Sequence, residues 1–161
     1  MKTFELMPDH ARVWIYHADR FLSPDEEALI TKLTTDFIQQ WSSHGAAMDA
    51  SFSIFFQRIV VITANEDDAQ ASGCGIDKSV HFMKDLGGKL GVDFFQRTAV
   101  LFQQNNEWRG AQMHEFWGMR KALIVNDETS VVDTTIRTFG QLKREFVKPF
   151  KLSWHAEMWG R

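Results

Sequence analysis

The segment QASGCGIDKSVHF contains the chain's only cysteine beside groups that favour a reactive thiolate. Cys74 lies between Gly73 and Gly75, and Lys78 and His81 follow within two turns if the segment is helical. A helix N-terminus and nearby positive charges both stabilise the thiolate, the form in which cysteine acts as a nucleophile. The segment therefore gives one hypothesis, a thiol-dependent enzyme in which Cys74, Lys78 and His81 are catalytic.

The same segment also contains part of a phosphate-binding motif. Lys78 stands where the lysine of G-x-x-x-x-G-K-[ST] would lie, but Asp77 replaces the preceding glycine and Ser72 replaces the first one. A carboxylate at Asp77 would oppose a phosphate, so the sequence does not predict an ATPase. Free backbone N–H groups at the helix start leave a narrower hypothesis, in which Gly73, Gly75 and Asp77 bind an anionic group of a ligand.

A purely structural interpretation of this segment is the one we favour over the thiol enzyme. An apolar stripe at helical spacing is formed by Ile76, Val80, Met83, Leu86 and Leu90, while Cys74, Lys78, His81 and Asp85 project from the opposite side. On this interpretation the two glycines shape the start of a helix, and the polar residues are its solvated face. The spacing reveals no third catalytic group.

Two other segments, WSSHG and SWH, both combine Trp, Ser and His. Aromatic walls with hydroxyl and imidazole groups are a common way to hold a small polar ligand. The predicted ligand-binding residues in these segments are Trp41, Ser43, His44, Ser153, Trp154 and His155. The alternative is structural: Trp41 completes a core stripe, His44 complements the dipole at a helix C-terminus, and His155 belongs to a docked C-terminal tail.

A metal or cofactor site is not predicted. Cys74 with His44, His81 or His155 would supply zinc ligands, but the sequence contains no C-x-x-C or H-x-x-x-H spacing.

The elements that must position these residues begin with a strand and a well-capped helix. The segment RVWIYHA is rich in β-branched and aromatic residues, which favour a strand. Ser23, Pro24 and Glu26 then form the start signal of a helix, including the S-x-x-E capping box. The apolar positions Ile30, Leu33, Phe37 and Trp41 predict that this helix continues until Gly45.

The order of the remaining elements predicts an α+β fold. The segment SFSIFFQRIVVITA is too long for one average strand, so we divide it near Gln57 into a hairpin. With the second helix and the strand TAVLFQ, the order is that of a ferredoxin-like βαββαβ core, with both helices on one face of a mostly antiparallel sheet. We predict one domain over residues 1–161, in which residues 1–103 form this core. Residues 104–161 form an α/β C-terminal extension packed on it.

Four segments carry a resemblance to a known family. VWIYHADRFLSPDEE, FIQQWSSHG, ASGCGIDKSVHFMK and SWHAEM resemble a family of small uncharacterised bacterial proteins, many of which carry the automatic label "ABC transporter ATPase". The similarity spans nearly the whole chain. It implies kinship without an established activity.

Composition limits the function classes. The chain has 161 residues, a formal net charge of −3 and 13% aromatic residues, and this acidic balance argues against a nucleic-acid partner. No apolar run approaches the roughly 20 residues of a membrane span. The opening residues MKTFELMPDHARVW contain no apolar region typical of a signal peptide, so we expect a cytoplasmic protein. A single cysteine forms no intrachain disulfide, so the fold does not depend on oxidising conditions. The function predicted is binding of an unknown small molecule or protein partner, and the thiol enzyme remains the alternative.

Overall fold

The computed structural model describes residues 1–159. Its strands are β1 (Arg12–His17), β2 (Ser42–Ser43), β3 (Ala46–Ala47), β4 (Asp49–Phe55), β5 (Ile59–Asn65), β6 (Ala99–Gln104), β7 (Glu107–Gln112), β8 (Ser130–Val132) and β9 (Val147–Pro149). Its α-helices are α1 (Pro24–Gln40), α2 (Gly73–Leu90), α3 (Met113–Lys121), α4 (Phe139–Glu145) and α5 (Trp154–Trp159). Short 3₁₀ helices span Phe4–Leu6 and Phe150–Leu152.

The first sheet has the strand order β1-β5-β4, and all of its pairs are antiparallel. Its central strand β5 is buried from Ile59 to Ala64, so both of its faces pack against other elements. Alternate residues of a strand point to opposite faces. Accordingly, Tyr16 and Ile62 belong to a core beneath α1 and α2, whereas Val13 and Val61 belong to a core on the other face.

Helices α1 and α2 both pack on one face of this sheet, as the apolar stripes predicted. The capping box at Ser23 is confirmed: the Ser23 side chain accepts from the N–H of Glu26, whose carboxylate accepts from the N–H of Ser23. Ile30 of α1 and Met83 of α2 are fully buried in the shared core. Within the predicted α2 stripe, Ile76 and Val80 are only half-buried.

The second sheet has the order β7-β6-β8-β9 and lies against the first one. A second core joins the two sheets, because Val13 and Val61 pack with Leu101 and Val132. The outer face of the second sheet packs against α3 and α5 through a third core. The structure is therefore α+β with four layers: two helices, two sheets, and further helices.

The strand order does not confirm the ferredoxin-like arrangement. In that arrangement the last strand would lie beside β1, but β6 pairs with β7 and β8 in the second sheet. Only an isolated parallel bridge joins His17 of β1 to Phe95, in the connection before β6. The boundary predicted at residue 103 thus falls inside β6, and β6 belongs with the C-terminal elements.

Two turns differ from the sequence prediction. Helix α1 ends at Gln40 rather than at Gly45, and His44 and Gly45 instead form the tight turn between β2 and β3, with φ of 50° and 81°. The predicted hairpin near Gln57 is confirmed, although its turn places Phe56 and Gln57 at positive φ. Such a backbone is strained for non-glycine residues. It is held by a 2.7 Å hydrogen bond from the N–H of Leu22 to the carbonyl of Gln57.

No helix within residues 1–159 is long and apolar enough to cross a membrane.

Candidate functional site

The glycine-rich segment begins α2. The Ser72 hydroxyl accepts from the N–H of Gly75, and the Ser72 carbonyl accepts from the N–H of Ile76 at 2.9 Å. Gly73 to Lys78 are therefore helical, so their backbone does not form the open loop that surrounds a phosphate in the G-x-x-x-x-G-K-[ST] motif. The carboxylate of Glu66 accepts from the N–H of Ala71 at 2.7 Å and brings negative charge to this helix end.

The segment WSSHG packs directly on the start of α2. The Trp41 indole N–H donates to the carbonyl of Gly75 at 2.9 Å. The Ser43 and Ser72 hydroxyls are 2.6 Å apart, and the N–H of Ser72 donates to the Ser43 hydroxyl at 3.1 Å. A Cβ atom on Gly75 would lie 3.1 Å from the Cβ of Ser43. These two predicted segments meet, but they form a closed packing contact rather than a ligand pocket.

The proposed catalytic side chains lie on the exposed face of the same helix. Cys74, Lys78 and His81 are exposed, as the helical spacing predicted, and Asp77 is exposed as well. The Lys78 ammonium donates to the carbonyl of Ser42 at 3.2 Å instead of to the thiol. Groups of three or more potential metal ligands are absent from the part of the chain that the structure describes, so zinc binding through Cys74 receives no support there.

The SWH segment lies in a different layer of the molecule. Ser153 donates to the carbonyl of Phe150 at 2.7 Å, and the next two residues begin α5. Phe150 belongs to the third core, on the outer face of the second sheet, whereas Trp41 belongs to the core beneath α1 and α2. Both sheets thus separate Ser153–His155 from Trp41 and α2, and the predicted ligand-binding residues do not form one site.

His155 is nevertheless an unusual residue, because it is buried with a strongly shifted pKa. Its side chain stacks on Trp154 with ring centroids 4.0 Å apart. Burial lowers the pKa of His155 from 6.5 to about 4, with opposing smaller effects from Asp133 and Lys148. Asp133 and Lys148 pair with each other at 3.0 Å.

A slot beside β1 is the best candidate for a ligand site. It has a volume of about 410 Å³, within the usual range for small-molecule pockets. Three parts of the chain besides β1 form it: the middle of α2, the connection before β6 and the connection after β8. The lining residues are Trp14, Ile15, Tyr16, His17, Val80, Phe94, Phe95, Gln96, Arg97, Thr134 and Thr135.

The slot combines aromatic walls with few polar groups. Trp14 and Phe95 are half-buried, and Phe95 packs edge-on against Tyr16 with ring centroids 5.7 Å apart. Tyr16 is anchored by a 3.4 Å contact between its hydroxyl and that of Ser79. Arg97 is exposed, and none of the ion pairs recorded for residues 1–159 involves it. The described lining contains no carboxylate, so its charge is positive.

His17 is the most distinctive residue of the slot. It is only 3% exposed, and neither of its ring nitrogens has a hydrogen-bond partner in the described structure. Burial, and then the positive charge of Arg58, lowers the pKa of His17 from 6.5 to about 4. The imidazole is therefore neutral at pH 7, with one N–H donor and one acceptor nitrogen. Unpaired buried polar groups are costly, and the His155 Nδ1, Trp154 Nε1 and Thr34 hydroxyl are further examples within the described residues.

Sequence reasoning missed the slot because its walls come from distant parts of the chain. His17 stands in an ordinary strand pattern, RVWIYHA, and nothing in that pattern indicates that its imidazole is buried without a partner. Arg97 stands in a connection whose path depends on β6 joining the second sheet. The one available signal was a histidine within an otherwise apolar strand.

No protein-family model matches this chain, and neither the curated proteins nor the solved structures contain a significant match to it.

Proposed function

We propose that this protein is a small-ligand binding module and that the slot beside β1 is its site. The observation that supports this most strongly is the lining of the slot, in which aromatic walls stand beside Arg97, an exposed cation that belongs to none of the ion pairs recorded for residues 1–159. The binding function predicted from WSSHG and SWH is retained, but its location moves to the slot.

The lining favours a ligand with an apolar body and an anionic group. Trp14 and Phe95 offer flat apolar surfaces, which suit an aromatic or branched aliphatic group. Arg97 offers a guanidinium fork that can hold a carboxylate through two parallel hydrogen bonds. A cationic ligand would meet only positive charge in the slot.

The proposal also covers where the protein acts, which partners it lacks and how its first sheet relates to a known fold. The net charge of −3 and the single exposed thiol support a cytoplasmic protein without a nucleic-acid partner. We also infer that β1, α1, β4, β5 and α2 correspond to the first five elements of a ferredoxin-like unit. On this view its sixth element, β6, has moved into the second sheet.

The proposal is tested by NMR titration of the ¹⁵N-labelled protein with phenylacetate and with its neutral amide, phenylacetamide. We expect phenylacetate to shift the backbone amide signals of Ile15, Gln96 and Thr135, with a Kd on the order of 1 mM for so small a molecule. Phenylacetamide should bind more weakly because it lacks the charge that Arg97 would hold.

Two matched substitutions locate the site. Thr134→Trp fills the slot and should abolish the signal shifts, whereas Thr31→Trp, in a separate surface hollow beside β4, should leave them unchanged. Signal shifts that persist in Thr134→Trp, or shifts confined to residues outside the slot, would overturn the proposal.

A further inference from the structure

The outer edge of β1 is bonded at both ends by other segments. Alternate residues of a strand direct their backbone groups to the same side, and Val13, Ile15 and His17 direct theirs away from β5. The N–H of Val13 donates to the carbonyl of Arg137 at 3.0 Å, and the carbonyl of His17 accepts from the N–H of Gln96 at 3.2 Å. Both ends of this edge are therefore occupied.

Between those two bonds the edge is open. The N–H and carbonyl of Ile15 have no hydrogen-bond partner in the part of the chain that the structure describes, although Ile15 lines the slot. The pairing of β1 with the segment at Arg137 does not extend to Thr135, whose N–H donates to the Asp133 carboxylate at 2.8 Å. The step from Val13 to His17 spans about 13 Å at the rise of an extended strand, enough for a few residues of a second chain.

We propose that the ligand of the slot is a short peptide with a free carboxylate, paired in extended conformation with the open edge at Ile15. This inference rests on the proposed function. The peptide would run parallel to β1: the N–H of Ile15 would donate to the carbonyl of one peptide residue, and the carbonyl of Ile15 would accept from the N–H of the residue two positions further on. Successive peptide residues would direct their side chains alternately toward Thr134 and toward Trp14 and Phe95.

The charges of the slot orient the peptide. Arg97 lies next to Gln96, at the His17 end of the opening, so the carboxylate is held there by its guanidinium. The two acidic residues adjoining the lining segments in sequence are already engaged. Asp93 accepts from the N–H of Phe95 at 2.8 Å, and Asp133 pairs with Lys148 at 3.0 Å. Lys148 therefore compensates the charge of Asp133, and the Asp93 carboxylate is engaged by the N–H of Phe95 and the side-chain amide of Gln96.

The length of the peptide is limited at the other end of the opening. The bond from Val13 to Arg137 closes the edge there, so residues beyond the first few must leave β1 for solvent. A free short peptide and the C-terminus of a longer chain share the same carboxylate chemistry, but only the short peptide makes all of its contacts inside the slot.

The test compares four synthetic probes by NMR titration or calorimetry on the intact protein. The first is N-acetylglycyl-phenylalanine. The second is its C-terminal carboxamide, the third is the analogue in which an ester replaces the central amide, and the fourth is an octapeptide that ends in the same two residues. Loss of the carboxylate should weaken binding about tenfold or more, and the ester should weaken it about threefold to tenfold because one N–H donor is lost. The octapeptide should bind no more tightly than the dipeptide.

Substitutions of two exposed arginines give a matched pair of variants. In Arg97→Gln the acid and the carboxamide should bind equally weakly. The backbone carbonyl of Arg137 accepts from the N–H of Val13, but the Arg137 side chain lies outside the slot lining. Arg137→Gln should therefore keep the preference for the acid over the carboxamide.

The outcomes separate the two proposals. If phenylacetate binds in the slot as tightly as the dipeptide and the ester analogue binds like the amide, the peptide inference is overturned and the binding function stands. Octapeptide affinity at least tenfold above that of the dipeptide would replace the short peptide with a protein C-terminus and also overturn the inference. If no probe perturbs the slot, both proposals fall.

Discussion

Mild acid should destabilise this protein through two buried histidines, His17 and His155. Each is nearly inaccessible to solvent, and burial lowers the pKa of each from 6.5 to about 4. A lowered histidine pKa means that the folded state binds protons less readily than the unfolded chain does. The full stability is therefore present above about pH 6.5, is lost progressively as the pH falls, and reaches its lower limit below about pH 4.

The size of the effect follows from the two pKa values. At pH 5 an unfolded histidine is mostly protonated and a folded one with a pKa near 4 is mostly neutral. The difference lowers the free energy of unfolding by about 2 kcal/mol for each residue relative to pH 7.5. Together the two histidines should remove about 4 kcal/mol, a large fraction of the roughly 5–15 kcal/mol by which domains are stable.

Urea denaturation at pH 7.5 and pH 5.0 measures this difference in the wild type, in His17→Phe and in His155→Phe. Each substitution should reduce the pH-dependent loss by about 2 kcal/mol, whatever it does to stability at pH 7.5. The exposed His114→Gln serves as the control and should keep the full loss. If neither buried variant reduces the loss, or if NMR shows that the His17 and His155 rings titrate near pH 6.5 in the folded protein, the reasoning is refuted.

Three further predictions concern the segment that begins α2. Gly75→Ala should lower the free energy of unfolding by about 1–2 kcal/mol in urea denaturation, because the added Cβ would lie 3.1 Å from the Cβ of Ser43. Gly73→Ala should be neutral or slightly stabilising, because no atom lies within 4 Å of its added Cβ. Equal effects of the two substitutions would contradict this contact. Cys74→Ser should change the free energy of unfolding by less than about 0.5 kcal/mol and leave phenylacetate binding intact, since the thiol is exposed; loss of binding would revive the thiol hypothesis. Purified protein should not hydrolyse ATP in a phosphate-release assay, and saturable micromolar ATP binding that is lost in Lys78→Ala would show otherwise.

Local sequence signals predicted the elements well because they act over a few residues. The S-x-x-E box fixed the start of α1, and the apolar spacing placed Met83 and Leu86 beneath α2 with Cys74 and His81 outside. Alternation within β5 was masked, since a strand buried on both faces is apolar throughout. The length of the whole segment SFSIFFQRIVVITA still indicated a hairpin.

Those local signals could not predict which strands pair with one another across the chain. The sequence of β6 suits either sheet, and its partners β7 and β8 are decided by the packing of the whole C-terminal half. Residue chemistry was equally ambiguous: the WSSHG segment resembled a ligand site, yet its Trp and second Ser satisfy hydrogen bonds at the start of α2. The slot lacked a sequence motif because four separate segments form it.

The bonded ends of β1 also affect how copies of the protein meet one another. Unpaired strand edges are where sheets of different molecules join and begin to aggregate, and an average strand needs about five to six residues of free edge. Segments at Arg137 and Gln96 already occupy both ends of this edge, so a strand from another molecule cannot lie along β1 without displacing one of them. The short opening beside Ile15 is thereby closed to intermolecular sheet growth.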